Sequence, residues 1–501
     1  MPVFTPDHIQ AFLRQDARLD GHFVAGVTST RVYCKPSCSA KKPVPEDVEL
    51  FDTPAEAEAA GFRACRVCQP RTSPDAIASD GTSTTVSRAL RLIEDGVLDH
   101  ASIDALCERL DIGARQLRRL FHKHLGTSPV QVARIRRAHF ARRLIETTSL
   151  SMANIARAAG FGSVRRFNAV INEVYGCPPT ALRKAPTTRP ARLELEIPVK
   201  GPFPWARMLE FLEPWTASGV EQVVGDRYYR TASFGKVAGE ICVTYSPNVG
   251  ALHVRVSRSL GENLLDVISS VRRLFDVDAP TDEIAAHLGG DSALRARIES
   301  TPGLRVPGAF DHFETAVVML MNQHMRPEEA SDLMDRVVEK YGTRIETSQP
   351  SLTHVFPSPY VLSTARLEAV GVPKRRARSI QALARAVHEG ALRLDGSPSL
   401  EAAIESLRSI SDVSATSAEY IAMRVYRESD AFPSNNHWLR SAVAEDGPSV
   451  SIQELESRAE TWRPWRAYAA MYLWDSYLAD ERDARRLWDR DSAPPEATQV
   501  A

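Results

Sequence analysis

Four cysteines constrain this chain more than any other feature. Cys34 and Cys38 stand in RVYCKPSC (31–38), and Cys65 and Cys68 in ACRVCQP (64–70), a spacing of C-x3-C, 26 residues, then C-x2-C. Any fold of the N-terminal segment has to accommodate that set as disulfides, as a structural metal site or as reactive thiols. The chain has seven cysteines, the others being Cys107, Cys177 and Cys242. The N-terminus MPVFTPDHIQAF lacks the basic region and apolar run of a secretory signal. An odd count without such a signal argues against a disulfide framework and for a cytoplasmic protein with reduced thiols. In that setting the spacing is that of one tetrahedral Zn²⁺ site with four cysteine ligands. Four thiolates leave such a site net anionic, so a structural knot and an electron-rich nucleophile both remain open. Cys107, Cys177 and Cys242 sit singly in apolar patterns and read as small core residues.

At 501 residues the chain has room for about three domains. The net charge of −1 conceals an asymmetry. Residues 101–190 carry 16 Lys and Arg against 5 Asp and Glu, whereas residues 191–501 carry 35 against 44. A basic block of that size points to nucleic acid. No apolar run is long enough to span a membrane, so no membrane partner is expected.

SDGTST (79–84) reads as a linker, the pattern from about Val86 to Arg183 as helical, and KAPTTRP (184–190) as a second join. LELEIPV (193–199) alternates as a half-buried strand, and EICVTYS (240–246) with ALHVRVS (251–257) as a hairpin. Helical periodicity resumes near Asn263, and the tail DSAPPEATQVA reads as disordered.

The run FVAGVTSTRVYCKPSC, with AGFRACRVCQP downstream, resembles the N-terminal domain of the Ada adaptive-response family over about residues 4–72. The resemblance implies that Cys34 accepts a methyl group from methyl phosphotriesters in DNA, with Cys38, Cys65 and Cys68 as the other zinc ligands. It also implies DNA contacts at Thr30, Ser39, Lys41 and Arg63. A thioether product makes each molecule act once, and lowering the site's negative charge favours DNA binding afterwards.

Residues 102–129 read as helix, turn, helix, and residues 151–184 repeat the plan. GF-x-S-x3-F (160–167) followed by G-x-P (176–178) resembles the AraC-type double helix-turn-helix. That resemblance implies two helices in successive major grooves, with Arg115, Gln116, Arg119, Ser163, Arg165 and Arg166 as candidates for base reading. Any one of these arginines can equally grip a phosphate. The implied partners are double-stranded DNA, as damaged backbone and as promoter operator, and RNA polymerase.

PFPWARMLEFL (202–212), GLRVPGAFDHFETAVVMLMNQ (303–323) and WRPWRAYAAMYLW (462–474) resemble the AlkA family of 3-methyladenine DNA glycosylases over about residues 193–480. Two working parts depart from that family. The glycine-rich hairpin turn is replaced by Ser411, Asp412, Val413 and Ser414, and Asp412 would repel a phosphate. The catalytic aspartate, four residues after the phenylalanine of DAFPSNNHWLR (430–440), is Asn436. An amide has neither the charge to stabilise an oxocarbenium-like sugar nor the basicity to assist water. Asp430 is six residues too early to replace it. Tyr420 and Trp474 are the best candidates for a glycosylase-like pocket, while Thr416 falls where the family has a tryptophan.

The expected fold class is therefore multidomain α+β. It comprises a small zinc methyl-acceptor domain (1–78), an all-α double helix-turn-helix (84–185), an α+β sheet subdomain (191–276), a helix-hairpin-helix glycosylase core (277–488) and a disordered tail (489–501). The expected function is a methyl-phosphotriester sensor and transcriptional activator whose glycosylase-like module is weak or inactive. Two rivals stand beside it: a bifunctional protein that also excises 3-methyladenine, and a non-catalytic zinc regulator that responds to redox state or metal.

Overall fold

The structure, a computed structural model, describes residues 4–16, 19, 23–38, 40–51, 57, 60–65, 68, 70, 84–125, 127–183, 193–322, 325–444 and 449–475. Residues 79–83 of the linker 79–84, the join 184–190, Ser39 and the tail 489–501 lie outside the described residues, and Thr84 begins a helix. No described helix is long and apolar enough to cross a membrane.

The N-terminal region pairs the helix Pro6–Leu13 with a sheet of order β3-β1-β2-β4. Its strands are β1 (Val24–Val27), β2 (Val32–Cys34), β3 (Val48–Phe51) and β4 (Arg63–Ala64). β1 runs antiparallel to β2 and β3, while β4 joins β2 in parallel. Gly26 in β1 is required by close packing, because a Cβ there would meet the rings of Phe51 and Phe62 at 2.8 Å.

The middle region is helical, as its periodicity predicts. Ser102, Ser128, Ser151 and Ser163 each cap a helix by accepting an amide hydrogen three residues on, at 3.2–3.3 Å. The first helix-turn-helix unit has its own core, including Leu106, Leu117 and Phe121. The second does not: Phe161, Phe167 and Ile171 share one apolar cluster with Leu195, Ile197 and Phe275 of the following subdomain.

That subdomain is an antiparallel sheet of order β5-β9-β8-β7-β6, with β5 (Leu193–Pro198), β6 (Glu221–Val224), β7 (Arg227–Phe234), β8 (Val237–Ser246) and β9 (Ala251–Val256). Leu193, Leu195 and Ile197 of β5 alternate inward, as the pattern predicts. The helix Leu264–Leu274 covers the sheet, and helices then run almost to the end of the described chain.

The middle region is seated on the C-terminal half. Arg88 makes a two-pronged contact with Glu428 at 2.8 and 3.0 Å. Arg91 donates to the carbonyl of Arg427 at 2.6 Å. Asp95 lies 3.4 Å from Arg273 and 3.6 Å from Arg427, and these arginines hold its carboxyl below the usual carboxylate range against the effect of burial.

Glu94, the last residue of the helix Thr84–Glu94, behaves oppositely. Burial, reinforced by Asp278, pushes its carboxyl from 4.5 up to about 7. A raised carboxyl pKa makes the protonated form the one that suits the fold. Its contribution is fully present below about pH 4.5 and is lost as pH rises through about 7. Glu94→Gln should therefore stabilise the chain by about 1 kcal/mol at pH 8 and leave it unchanged at pH 4.5, read as thermal midpoints.

Candidate functional site

The parallel pairing of β2 with β4 aligns Tyr33 with Ala64, which puts Cys34 and Cys65, the next residues along, side by side. A turn closed by the Cys38 amide on the Lys35 carbonyl at 3.0 Å brings Cys38 back to them. The four sulfurs of Cys34, Cys38, Cys65 and Cys68 all lie within 4.8 Å of one another, and all four residues are buried. Cys38 and Cys65 are 3.9 Å apart, far too long for a disulfide, and all seven cysteines are free. Four sulfurs at about 2.3 Å from one zinc form a tetrahedron with edges of about 3.8 Å, so this donor set fits a single Zn²⁺. Thiols this close do not ionise together without a cation among them. Hydrogen bonding to Cys38 holds Cys34 above the ordinary thiol range, whereas hydrogen bonding from Cys34 holds Cys65 below it. The Ala40 amide donates to the Cys38 sulfur at 3.4 Å, a further brake on its position.

Three of the four expected DNA contacts are exposed on the same small sheet and its loops. Thr30 is exposed in the β1–β2 turn, where Arg31 adopts a left-handed φ of 52°. Arg63 is exposed on β4, its amide bonded to the Arg31 carbonyl at 2.9 Å, so Thr30 and Arg63 share one end of the sheet. Lys41 is exposed on the loop after Cys38.

In the first helix-turn-helix unit, Leu117 and Phe121 face the core of the helix Ala114–Leu125 and leave Arg115, Gln116 and Arg119 exposed. In the second, Phe167, Val170 and Ile171 anchor the helix Val164–Tyr175, and Arg165 and Arg166 are exposed. Ser163 is exposed too, but its oxygen accepts the Arg166 amide at 3.2 Å, so it caps the helix before it can read a base.

The C-terminal half brings Asn436, Tyr420 and Trp474 together. Tyr420 and Trp474 stack with ring centroids 5.4 Å apart and planes 16° from parallel. Asn436 caps the helix His437–Val443, its Oδ1 accepting the Leu439 amide at 3.0 Å and the Trp474 indole N–H at 3.4 Å. Its Nδ2 donates to the Tyr420 hydroxyl at 2.6 Å. The amide is thus held at both ends in a neutral pocket wall. Two carboxylates of the flanking segments are engaged elsewhere. Asp430 is gripped by Arg463 and Arg466, and Glu419 accepts the Phe432 amide at 3.1 Å.

The hairpin joins the helices Leu400–Arg408 and Ala415–Arg424. Asp412 takes a left-handed φ of 62°, a conformation that favours glycine, and Ser414 caps the second helix. The turn survives without its glycines. Arg375 donates to the Asp412 carboxylate at 3.2 Å, which offsets its charge. Sequence reasoning missed this compensation, and it missed the contacts made by Arg88, Arg91 and Asp95.

Three family models match the chain: the metal binding domain of Ada over residues 7–71, a helix-turn-helix domain over 106–185 and the AlkA N-terminal domain over 194–311. Among curated proteins the chain is similar to a probable bifunctional transcriptional activator/DNA repair enzyme AlkA of Mycobacterium tuberculosis. The two are 35% identical over 474 residues, 93% of this chain and 95% of the relative. It is 30% identical to DNA-3-methyladenine glycosylase 2 of Escherichia coli over 54% of this chain and 94% of that protein. It is also 31% identical to the bifunctional transcriptional activator/DNA repair enzyme Ada of Escherichia coli, over 33% of this chain and 46% of that one.

Proposed function

From the premise that this chain belongs to the family of bifunctional Ada/AlkA transcriptional activator/DNA repair proteins, we propose that it is a single-use sensor of methylated DNA backbone that then activates transcription. The observation that carries this reading is the four-sulfur cluster with Cys34 at the end of β2, in a domain that also exposes Thr30, Lys41 and Arg63. Cys34, Cys38, Cys65 and Cys68 hold the zinc, which when bound supplies the positive charge that keeps the cluster's thiols ionised at neutral pH.

Thr30, Ser39, Lys41 and Arg63 orient the phosphotriester. The Cys34 sulfur attacks the methyl carbon in line. An S–C bond forms, the C–O bond breaks, and the phosphodiester leaves with the negative charge. A thioether is a stable product that does not give its methyl group up again, so one chain removes one methyl group. The product cluster carries one negative charge fewer and repels the phosphate backbone less. The helices bearing Arg115, Gln116 and Arg119, and Arg165 and Arg166, then read promoter DNA, from which the protein recruits RNA polymerase in the cytoplasm. The glycosylase-like module contributes little or no base excision, because Asn436 is neutral and fully engaged.

The test is transfer of a labelled methyl group from phosphotriester DNA to the chain, with duplex affinity measured before and after. Protein-bound label together with tighter binding is expected; a chain that stays unlabelled sinks the reading. The reading of promoter DNA has its own check. Arg115→Ala should cost about 1–3 kcal/mol on the best duplex selected from a random pool and relax the preference at one base pair. A uniform loss across sequences, with the salt slope reduced by about 1, would make Arg115 a phosphate contact instead.

A further inference from the structure

Beside the apolar cluster that joins the second helix-turn-helix unit to the following subdomain, the seam between the helix-turn-helix module and the C-terminal half carries charges paired across it. The Arg88 and Glu428 side chains are 14% and 7% exposed, so their pairing is a buried one. The guanidinium of Arg427 reaches Asp95 of the helical module at 3.6 Å and Asp276 of its own half at 3.2 Å. The Arg427 backbone is left-handed, at φ 56°, and its carbonyl takes the hydrogen bond from Arg91. Arg109 donates to Asp395 at 3.1 Å, and at the adjacent Gly396 a Cβ would meet Leu92 at 3.0 Å and Arg109 at 3.2 Å. The backbone of that loop is shaped to the helix it receives. Removing one partner of a buried pair leaves an uncompensated charge, whereas exposed pairs are worth little.

We infer that the glycosylase-like module has a second role as the docking base of the DNA-reading module, and that the two unfold as one unit. The role needs no excision chemistry, which gives the retained scaffold a function in the absence of the aspartate. It also leaves the reading heads free, since Arg115, Gln116, Arg119, Arg165 and Arg166 are exposed. The inference goes beyond the function proposed above and does not depend on methyl transfer. The loop that carries Arg427 and Glu428 runs on to Asn436, so the seam also fixes one approach to the Tyr420–Trp474 pocket.

The distribution of tryptophan supplies the test. All seven tryptophans, at positions 205, 215, 438, 462, 465, 474 and 488, lie in the C-terminal half, so intrinsic fluorescence of the full chain reports on that half alone. Phe121 is fully buried in the separate core of the first helix-turn-helix unit. Phe121→Ala should lower the tryptophan-monitored thermal midpoint by at least about 3 °C, coincident with the loss of helical circular dichroism. Phe121→Leu should do so by a smaller amount, which keeps the test usable if the alanine variant does not fold. Arg88→Ala should lower the same midpoint from the seam itself. A tryptophan transition that Phe121→Ala and Phe121→Leu leave in place, while helical signal is lost in a separate earlier step, overturns the inference.

Discussion

Incubated with duplex DNA carrying methyl phosphotriesters, each chain should gain one methyl group, on Cys34, and Cys34→Ser should gain none. The four cysteines are chemically alike, so the selectivity has to come from placement. Cys34 closes β2, and the turn that leads into this strand carries Thr30, with Arg63 beside it on β4. Of the four, Cys34 is the one on the strand that this turn enters, two residues past Val32, the partner of Arg63. Serine is a far weaker nucleophile than a thiolate, and the transfer rate should fall by at least about 10³-fold. Because the product is a thioether, label should saturate at one methyl per chain however much damaged DNA is supplied. Peptide mapping by mass spectrometry reads both results. A methyl group on Cys38, Cys65 or Cys68 would move the acceptor. Reversible oxidation of the cluster with no methyl-cysteine would favour the rival in which the site senses redox state.

Release of 3-methyladenine from N-methylated DNA by the full chain should lie close to the buffer rate, and Asn436→Asp should raise it by about 10²–10³-fold. The substitution is nearly isosteric. An aspartate at this position can still accept the Leu439 amide and the Trp474 indole N–H, and the Tyr420 hydroxyl can turn to donate to it. What changes is the charge, placed beside a stacked aromatic pair where a cationic, oxocarbenium-like sugar would develop. Alkylated purines are already cationic leaving groups, which is why restoring one carboxylate can have a large effect. Wild-type release well above buffer would show that another group carries the charge, and the bifunctional reading would then hold. If the variant is as inactive as the wild type, the hairpin, with Asp412 pinned by Arg375, is implicated as well.

What was legible in the sequence was what is local. The cysteine spacing fixes a ligand set because only a few backbone paths bring C-x3-C and C-x2-C together, and the strand pairing of β2 with β4 is one of them. The inward alternation of Leu193, Leu195 and Ile197 and the exposed arginines of Ala114–Leu125 follow from periodicities of two and of 3.6 residues. Asn436 was found because a short motif surrounds it. Its service as a helix cap is equally local, since asparagine is a preferred cap. The seam was illegible for the opposite reason. Arg88 and Glu428 are 340 residues apart, and each reads alone as an ordinary surface charge. The hairpin shows a third case. The sequence reads Asp412 as a charge that repels a phosphate, whereas Asp412 reaches the left-handed region at a modest cost and Arg375 offsets its charge.

The cap at Asn436 has a bearing on how this module can change over generations. Asparagine and aspartate are interchangeable as caps, so neither residue is favoured there by the stability of the helix it starts. Their codons differ by a single transition at the first base. The amide and the carboxylate forms of this position are therefore neighbours in mutational space, with no unstable intermediate between them. A population grown under sustained alkylation stress could cross that step in one event, and the barrier that separates the two forms is genetic rather than structural.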